Sequence, residues 1–378
     1  MTKPFARCIA VLLCVVAIVW DVSHRAKIQS ARAAWPALQT SATEPPHALV
    51  LASSGYIPMP NNTLAAHSSS LLTMPASHSS SLMAFWFAGT KESAPDVRIA
   101  ASAFDRVTQQ WQPAVFVVDR EALGETLGFG VRRLGNPVAW LDAHDRVHLF
   151  VVATGLGGWA AGRVVHLRQN PAAQGLKFEL MRVLPLSWLW NTSFLARTAP
   201  LSLHDGGMVL PVYFELGLKY PVALRFDAQG EFLGMVCISR RTHLLQPTLA
   251  MQSETQWLAL MRDQRPDGRV AVAQTQDGGQ SWVDLPDLTL TNPDASVAAL
   301  GLAPGYMVMA HNASPRSRQL LDLSQSANGK QWERLVRLAS GSGADEYSYP
   351  ALAWADDSLW VSYTDQRKRI AWQRFVSK

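Results

Sequence analysis

A short motif that occurs twice near the C-terminal end restricts the fold more than any other feature of the chain. Residues 275–282 read TQDGGQSW, and residues 326–332 read SANGKQW. Each copy directly follows a short run rich in apolar residues, 270–273 before the first copy and 320–323 before the second. Each has a hydroxyl residue, then Asp or Asn, then Gly, and ends in Trp. These side chains bond to their own backbone and Gly tolerates positive φ, so the motif predicts a tight hairpin turn. Trp282 and Trp332 lie 50 residues apart, and hairpins repeated at such a period are typical of a β-propeller.

Weaker copies of the motif and the pattern of short apolar runs support an all-β chain. Residues 104–111 (FDRVTQQW) form a weaker copy, and residues 169–178 form a degenerate one. Of the 378 residues, 48% are apolar and 17% charged, which is enough for a large core. Short runs of Val, Leu, Phe and Trp are separated by Gly, Pro, Asn and Asp, while helical periodicity is scarce. We predict a six-bladed β-propeller over residues 47–378, although five or seven blades also fit the strand groups.

The ends of this domain are predicted to meet in one sheet. The first blade is expected to contain strands at residues 64–74, 81–88, 97–103 and 114–118. A strand within residues 47–57 is expected to pair with the last strand, residues 370–376. Such pairing closes a propeller and removes free sheet edges.

The N-terminal segment has the pattern of an export signal. Lys3 and Arg7 precede a thirteen-residue apolar stretch, residues 8–20, which is short against the ~20 residues that span a bilayer. We predict that residues 1–27 are a signal peptide or an N-terminal membrane anchor and that residues 28–46 are a linker. The protein is then expected to be exported, and to be periplasmic, membrane-anchored or secreted. Cys237 is the only cysteine beyond the apolar stretch, which excludes a disulfide framework or cysteine zinc site in the body.

Charge and motifs exclude several function classes. The net charge of +5 is mild, the Lys and Arg residues do not form runs, and no nucleic-acid recognition motif is present. An acidic glycan suits this charge better than a nucleic acid. The Gly-rich residues 155–159 lack the strand–loop–helix context of a phosphate site. No GxSxG, HExxH or EF-hand pattern occurs, so the sequence predicts neither a metal nor a cofactor.

Several segments together resemble the sialidase (neuraminidase) superfamily, and more closely its bacterial sialidase-like branch with BNR, or Asp-box, repeats. The two Trp motifs described above resemble Asp boxes. The resemblance covers roughly residues 60–375. Its other segments are AFWFAGTKESAPDVRI (84–99), GNPVAW (135–140), GGW (157–159), LPVYFE (210–215), LQP (245–247), EYSYP (346–350) and YTDQR (363–367). It implies a propeller whose site lies in a central well at the ends of the inner strands.

The resemblance also implies a catalytic apparatus. The family uses Arg side chains to grip a substrate carboxylate, an Asp acid/base, and a Tyr nucleophile polarised by a neighbouring Glu. Arg262 looks like the second Arg of the family and Arg318 like the third, with Arg316 as the alternative. Asp96 looks like the acid/base. Tyr347 resembles the nucleophile, with Tyr349 left open because the two residues are expected on one strand face.

Two positions depart from the family pattern. His67 stands where the first family Arg is expected, and Gln246 stands where the Glu that polarises Tyr is expected. A Gln side chain can form hydrogen bonds but cannot take a proton. Glu215 or Glu346 could replace that Glu.

Glu92 and Arg98 lie near Asp96 in the sequence. They are candidates for substrate binding or for a structural ion pair. We expect a sialidase-like exo-glycosidase that hydrolyses a terminal, acidic sugar of a glycan or polysaccharide. The alternatives are a non-catalytic glycan-binding propeller and a polysaccharide lyase. In the lyase, His67 and a Tyr would act as base and acid beside a uronate carboxylate.

Overall fold

The computed structural model describes residues 3–24, 48–187 and 191–377. The chain begins with helix α1 (Lys3–His24). In the described part of the chain, no helix combines the length and apolar character needed to cross a membrane. The predicted linker, residues 28–46, lies outside the described residues.

Beyond α1, the described strands form six antiparallel sheets, which are the blades of a six-bladed β-propeller. The predicted fold is confirmed. Strand β1 (Leu49–Tyr56) precedes the first complete blade. Blade 1 contains β2 (Ala65–Thr73), β3 (Ser80–Gly89), β4 (Arg98–Asp105) and β5 (Val115–Val118), and helix α2 (Arg120–Leu127) follows it. Blade 2 contains β6 (Arg133–Leu141), β7 (Val147–Thr154), β8 (Gly162–Gln169) and β9 (Phe178–Val183), with a 3₁₀ turn at Gly158–Ala161. Blade 3 contains β10 (Phe194–Ala196), β11 (Leu201–Ser202), β12 (Met208–Phe214), β13 (Tyr220–Phe226) and β14 (Phe232–Cys237).

The last three blades follow in the same order from the axis outward. Blade 4 contains β15 (Leu244–Met251), β16 (Trp257–Asp263), β17 (Ala271–Thr275) and β18 (Val283–Leu285). Blade 5 contains β19 (Ala298–Ala303), β20 (Tyr306–Asn312), β21 (Leu320–Ser326) and β22 (Glu333–Ser340). Blade 6 contains β23 (Tyr347–Ala355), β24 (Ser358–Asp365) and β25 (Arg369–Ser377).

Strand β1 supplies the fourth strand of blade 6. It pairs with β25 so that Leu49 lies opposite Ser377 and Tyr56 lies opposite Ala371. The predicted pairing of the two ends of the domain is therefore confirmed. It joins the first and last blades through backbone hydrogen bonds and covers an edge that would otherwise be free.

Both Asp boxes are hairpin turns between the third and fourth strands of a blade, in blades 4 and 5. The hydroxyl of Thr275 accepts a hydrogen bond from the amide of Gly279 (2.9 Å), and the indole of Trp282 donates to the carbonyl of Gly279 (3.2 Å). The second box repeats this pattern, with Ser326 accepting from Gly329 (2.8 Å) and Trp332 donating back to it (3.1 Å). The two weaker copies lie at the same turn in blades 1 and 2.

Six clusters of buried apolar side chains each lie between two consecutive blades. Trp86, Trp257 and Trp360 are among the largest fully buried side chains. Each blade thus covers its apolar faces against two neighbours. Because no blade could bury both faces alone, the hydrophobic effect favours the closed ring over isolated sheets.

Helix α2 is the one departure from an all-β domain among the described residues beyond α1, and the sequence pattern did not predict it. Its start is capped by Asp119, whose carboxylate accepts from the amides of Glu121 (2.7 Å) and Ala122 (3.2 Å). Its end is marked by Gly128 in the left-handed region (φ 72°). Both are ordinary helix-capping arrangements.

Candidate functional site

The inner strands of four blades share a bulge near the start of the strand. Register shifts fall after His67 in β2, after Gly135 in β6, after Leu245 in β15 and after Ser348 in β23. The first residue of each bulge has positive φ, and these residues are Ser68 (58°), Asn136 (43°), Gln246 (49°) and Tyr349 (52°). A bulge turns a side chain away from the face that strict alternation would give it. Here the bulges direct polar side chains from distant parts of the chain towards one end of the central axis of the propeller.

Three of these bulge residues, Asn136, Gln246 and Tyr349, line a cavity of about 150 Å³. Five of the residues proposed from the sequence line it, and these are His67, Glu92, Glu215, Gln246 and Arg262. Tyr349, the open alternative to Tyr347, also lines it. The other lining residues are Phe87, Asn136, Trp159, Leu195, Tyr213 and Leu245.

The bulge in β23 separates the two candidate tyrosines. Tyr349 faces the cavity, while the ring of Tyr347 packs edge-on against Tyr363 at 6.2 Å between centroids. The expectation that Tyr347 and Tyr349 share one strand face is wrong, because the positive φ of Tyr349 interrupts the alternation. Tyr349 is therefore the tyrosine placed to meet a ligand.

The amide of Gln246 connects two phenols. Its Nε2 lies 3.4 Å from the hydroxyl oxygens of both Tyr213 and Tyr349, and its Oε1 accepts from Nη1 of Arg262 (3.2 Å). Burial raises the pKa of Tyr213, and the charge of Glu215 adds to this effect. Tyr213 therefore stays protonated and acts as a neutral hydrogen-bonding group.

His67 is a buried imidazole that faces the cavity. Its ring lies 4.3 Å from that of Tyr349, and its side chain is one of the cavity walls. Burial, reinforced by the charge of Arg367, lowers the pKa of His67 to about 3. Within the described parts of the chain, neither Nδ1 nor Nε2 has a hydrogen-bond partner. The imidazole is uncharged at neutral pH and is free to bond to a ligand.

Arg262 reaches the cavity from β16 and is held by Asp294. Its Nε donates to Oδ1 of Asp294 at 2.6 Å. Burial is the largest single influence and would lower the pKa of Arg262, but the hydrogen bond to Asp294 and the electrostatic effects of Tyr349, Asp294 and Tyr213 together outweigh it and the pKa is raised. Glu215, across the cavity, has a raised pKa because it is buried, and the charge of Arg262 opposes that effect only in part.

Beside the cavity, Glu346 joins two arginines. Arg318 donates from Nη1 to Glu346 (3.0 Å) and from Nη2 to the carbonyl of Asp294 (2.6 Å). Arg367 donates from Nε to Glu346 (2.9 Å), and its Nη1 bonds to Glu92. Burial would raise the pKa of Glu346, but the hydrogen bond from Arg367 and the neighbouring charges hold it at about 2. Glu346 is thus an ionised carboxylate committed to guanidinium groups.

Besides Tyr347 and Glu346, three more of the proposed residues do not line the cavity. Asp96 is exposed on the β3–β4 turn, where its carboxylate accepts from the amide (2.9 Å) and hydroxyl (3.0 Å) of Thr90. The guanidinium of Arg98 stacks on the ring of Phe116 at 3.6 Å. Arg318 lies behind the lining beside Glu346.

The remaining alternative lies at the surface. The side chain of Arg316 is 81% exposed and pairs with Asp267 (3.2 Å). Of the two arginines weighed against each other, Arg318 is therefore the one that lies near the cavity.

Trp159 forms an apolar wall of the cavity. It lies on the 3₁₀ turn between β7 and β8 and packs directly over Gly135 of β6. A Cβ added at Gly135 would lie 2.6 Å from Cη2 of Trp159. Only glycine therefore leaves room for the indole in this position.

Arg197 lies fully buried behind Tyr349, with its guanidinium 4.9 Å from the centre of that ring. It extends from blade 3 and donates to the carbonyls of Ser69 in blade 1 (3.3 Å) and Pro350 in blade 6 (2.9 Å). Three inner strands are thus connected through one side chain. Arg197 therefore stabilises the side of the cavity that Tyr349 forms.

Five residues of the site had no role predicted from the sequence, and these are Asn136, Tyr213, Trp159, Arg197 and Arg367. A pattern in the sequence could have indicated part of this set. Three bulges begin with a polar or aromatic residue followed by Pro, as in Asn136-Pro, Gln246-Pro and Tyr349-Pro. Proline is tolerated in strands mainly at edges and bulges, so the repeated dipeptide marks the bulges of the inner strands.

With this geometry established, comparison with known proteins identifies the family. The family model described as a BNR repeat-like domain matches residues 80–361. The chain belongs to the BNR repeat-like family. The predicted resemblance to sialidase-like proteins with BNR repeats is confirmed. No functionally curated protein matches the sequence.

Solved structures share the fold of this BNR repeat-like protein at low identity. The Hadza microbial sialidase Hz136 is 16% identical, with a TM-score of 0.67, over 83% of this chain and 66% of its own. The sialidase of Trypanosoma rangeli is 12% identical, with a TM-score of 0.65, over 86% of this chain and 60% of its own. A protein of unknown function from Dyadobacter fermentans is 10% identical, with a TM-score of 0.67, over 88% of this chain and 100% of its own. This chain therefore spans about two thirds or less of the two sialidases, and the likeness shows the shared fold.

Proposed function

We propose that the cavity binds the terminal sugar of a glycan and that the protein is a sialidase-like exo-glycosidase. The observation that carries the proposal is the position of Tyr349, whose phenol faces the cavity beside Arg262, Glu215 and the amide of Gln246. The fold relatives include sialidases, and one structure of the Trypanosoma rangeli enzyme is a complex with the inhibitor DANA. These facts support a carbohydrate ligand in the cavity.

The proposed reaction has two steps. The oxygen of Tyr349 attacks the anomeric carbon and releases its proton to solvent water, while a carboxylic acid protonates the departing glycosidic oxygen and becomes a carboxylate that takes a proton back from solvent. Water then attacks the same carbon, releases the sugar and returns a proton to Tyr349. Glu215 suits the proton donor because burial raises its pKa. Asp96 remains the alternative donor predicted from the resemblance.

Tyrosine variants test this reaction on a panel of fluorogenic glycosides. We expect Tyr349→Phe to lower turnover by more than about 10³-fold, the scale of loss that follows removal of a covalent nucleophile. Tyr347→Phe is the matched control, since its ring packs outside the cavity on the same strand. Full activity in Tyr349→Phe would remove this residue from the chemistry.

A non-catalytic glycan-binding propeller is the second candidate, and Gln246 favours it. The amide cannot take a proton from Tyr349, so the phenol lacks the base that would make it a stronger nucleophile. In this case the protein would retain a glycan on an array and release no sugar. Gln246→Glu would then create turnover. The lyase alternative has no comparable support, because a pKa of about 3 makes His67 a weak base.

We also propose that the protein is exported, with residues 1–27 as the signal peptide or N-terminal anchor. The basic residues Lys3 and Arg7 followed by an apolar stretch support this. Fusion of residues 1–47 to a reporter enzyme that is active only outside the cytoplasm tests it. Activity should be lost when two residues of the apolar stretch are replaced by Asp, and reporter activity that survives this change would contradict the proposal.

A further inference from the structure

We propose that His67 makes the cavity select a neutral sugar, one that presents hydroxyl or acetamido groups, over a sugar that carries a carboxylate. This inference rests on the proposed function, since it concerns the sugar that the same cavity takes. It differs from the acidic substrate expected from the resemblance. The guanidinium groups of the site are already bonded to partners within the protein.

His67 is a buried polar side chain that can bond to a ligand. The residue is 2% exposed and lines the cavity, and the described residues provide no hydrogen-bond partner for either ring nitrogen. A buried polar group without a partner is costly, so such groups usually have one in the functional state. A neutral imidazole offers one donor and one acceptor, which matches a sugar hydroxyl. A carboxylate could accept from the ring N–H but has no donor for the second ring nitrogen.

The guanidinium groups near the cavity already have hydrogen-bond partners within the protein. Arg262 bonds to Asp294 and to Gln246. Arg318 bonds to Glu346 and to the carbonyl of Asp294. An incoming carboxylate would have to share these guanidinium groups with the acceptors of the protein itself.

Arg367 is even more fully committed. Its Nε and Nη2 both donate to Glu346 (2.9 and 3.2 Å), and its Nη1 bonds to Glu92. All three nitrogen atoms of the guanidinium thus face protein carboxylates. Its charge is compensated before a ligand arrives.

The charged groups around the cavity also disfavour a ligand carboxylate. The described residues at and behind the cavity include four guanidinium groups and four carboxyl groups. The former are Arg197, Arg262, Arg318 and Arg367, and the latter are Glu92, Glu215, Asp294 and Glu346. With Glu215 protonated as the proposed proton donor, the other three carboxylates, Glu92, Asp294 and Glu346, are paired with Arg367, Arg262 and Arg318. A ligand carboxylate would compete with them for these guanidinium groups and would lose solvation in a partly buried place. The rest of the polar lining, such as Asn136, Tyr213 and Gln246, consists of uncharged donors and acceptors.

The test uses the full-length protein and matched pairs of glycans on one array. Each pair carries the same linkage and ends either in a neutral hexose or N-acetylhexosamine or in the corresponding uronic acid, and α-sialosides are included. We expect a neutral member to be retained with an affinity at least about tenfold above its acidic partner. Tighter binding of a uronic acid or sialoside would overturn this inference and leave the proposed function standing. Retention of no glycan would overturn both.

Variants of His67 test its role directly. His67→Arg supplies the missing cation, and we expect it to shift the ratio of neutral to acidic binding at least about tenfold towards the acidic member. His67→Phe should weaken neutral binding, and His67→Asn should retain more of it because an amide can donate and accept.

The matched control is His144→Arg, which makes the same change at an exposed turn on the opposite side of the propeller. Thermal unfolding establishes that each variant is folded. An unchanged ratio in folded His67→Arg, or neutral binding that survives in His67→Phe, would contradict the role of His67. If His67→Arg does not fold, the wild-type array and His67→Asn still decide the outcome.

Discussion

Replacement of Arg197 by Met should destabilise the whole ring, because this side chain connects the inner strands of three blades. Its guanidinium donates to the carbonyls of Ser69 (3.3 Å) and Pro350 (2.9 Å) and lies against the ring of Tyr349. Burial lowers the pKa of Arg197 to about 10, which leaves it charged at neutral pH. Methionine has a similar length but no donor, so both carbonyls would lose this partner while remaining in the interior.

The size of the effect follows from these two bonds. A hydrogen bond to a charged group contributes about 1.5–3 kcal/mol, and the relief of desolvating a buried cation offsets part of that. We therefore expect Arg197→Met to lower the free energy of unfolding by about 2–4 kcal/mol. With an m-value of about 3 kcal/mol per M, the midpoint of urea unfolding would fall by about 1 M.

Urea unfolding followed by tryptophan fluorescence and by circular dichroism measures this change. The matched control is Arg182→Met, because Arg182 forms an ion pair with Glu231 (2.6 Å) whose side chains are 29% and 49% exposed. Such a surface pair contributes about 0–1 kcal/mol. If Arg197→Met shifted the midpoint no more than Arg182→Met, Arg197 would not connect the blades in the way inferred here.

Two further predictions concern acid stability and the cavity wall. His148 and His166 are buried with their ring nitrogens 2.7 Å apart, and burial lowers the pKa of both. In the unfolded chain they take up protons below about pH 6.5, so the free energy of unfolding should be constant above that pH and fall below it. Replacing His166 by Phe should flatten this dependence in urea titrations, and an unaltered slope would count against the pair. Gly135→Ala should push the indole of Trp159 by roughly 1 Å and weaken glycan binding on the order of 10- to 100-fold, whereas Gly155→Ala, whose Cβ would meet nothing within 4 Å, should bind like the wild type.

The turns and most of the strands could be predicted because their determinants are local. The hydroxyl, Asp or Asn, and Gly of each Asp box bond within one turn, so seven or eight consecutive residues contain the information. Alternating apolar residues similarly place strands within a few residues of their observed bounds, as in blade 1. Helix α2 was missed because eight residues are too few for a clear helical periodicity.

The candidate site could be predicted only in part. The resemblance led to His67, Gln246 and Arg262, all of which line the cavity. The preference for Tyr347 over Tyr349 came from the resemblance, and the expectation that both lie on one strand face came from strict alternation, which the bulge interrupts. No local pattern reports on such a bulge unless the repeated Pro is recognised.

The sequence by itself determined the units of this protein, namely the hairpins, their capping turns and the apolar faces that must be covered. Only the tertiary structure decided the charge state and partners of the site. Arg367 reaches Glu92 across 275 positions of the chain, and Arg197 reaches Pro350 across 153. The physical reason is that hydrogen bonding within a turn acts over a few residues, whereas burial and charge pairing depend on which strands the closed ring brings together.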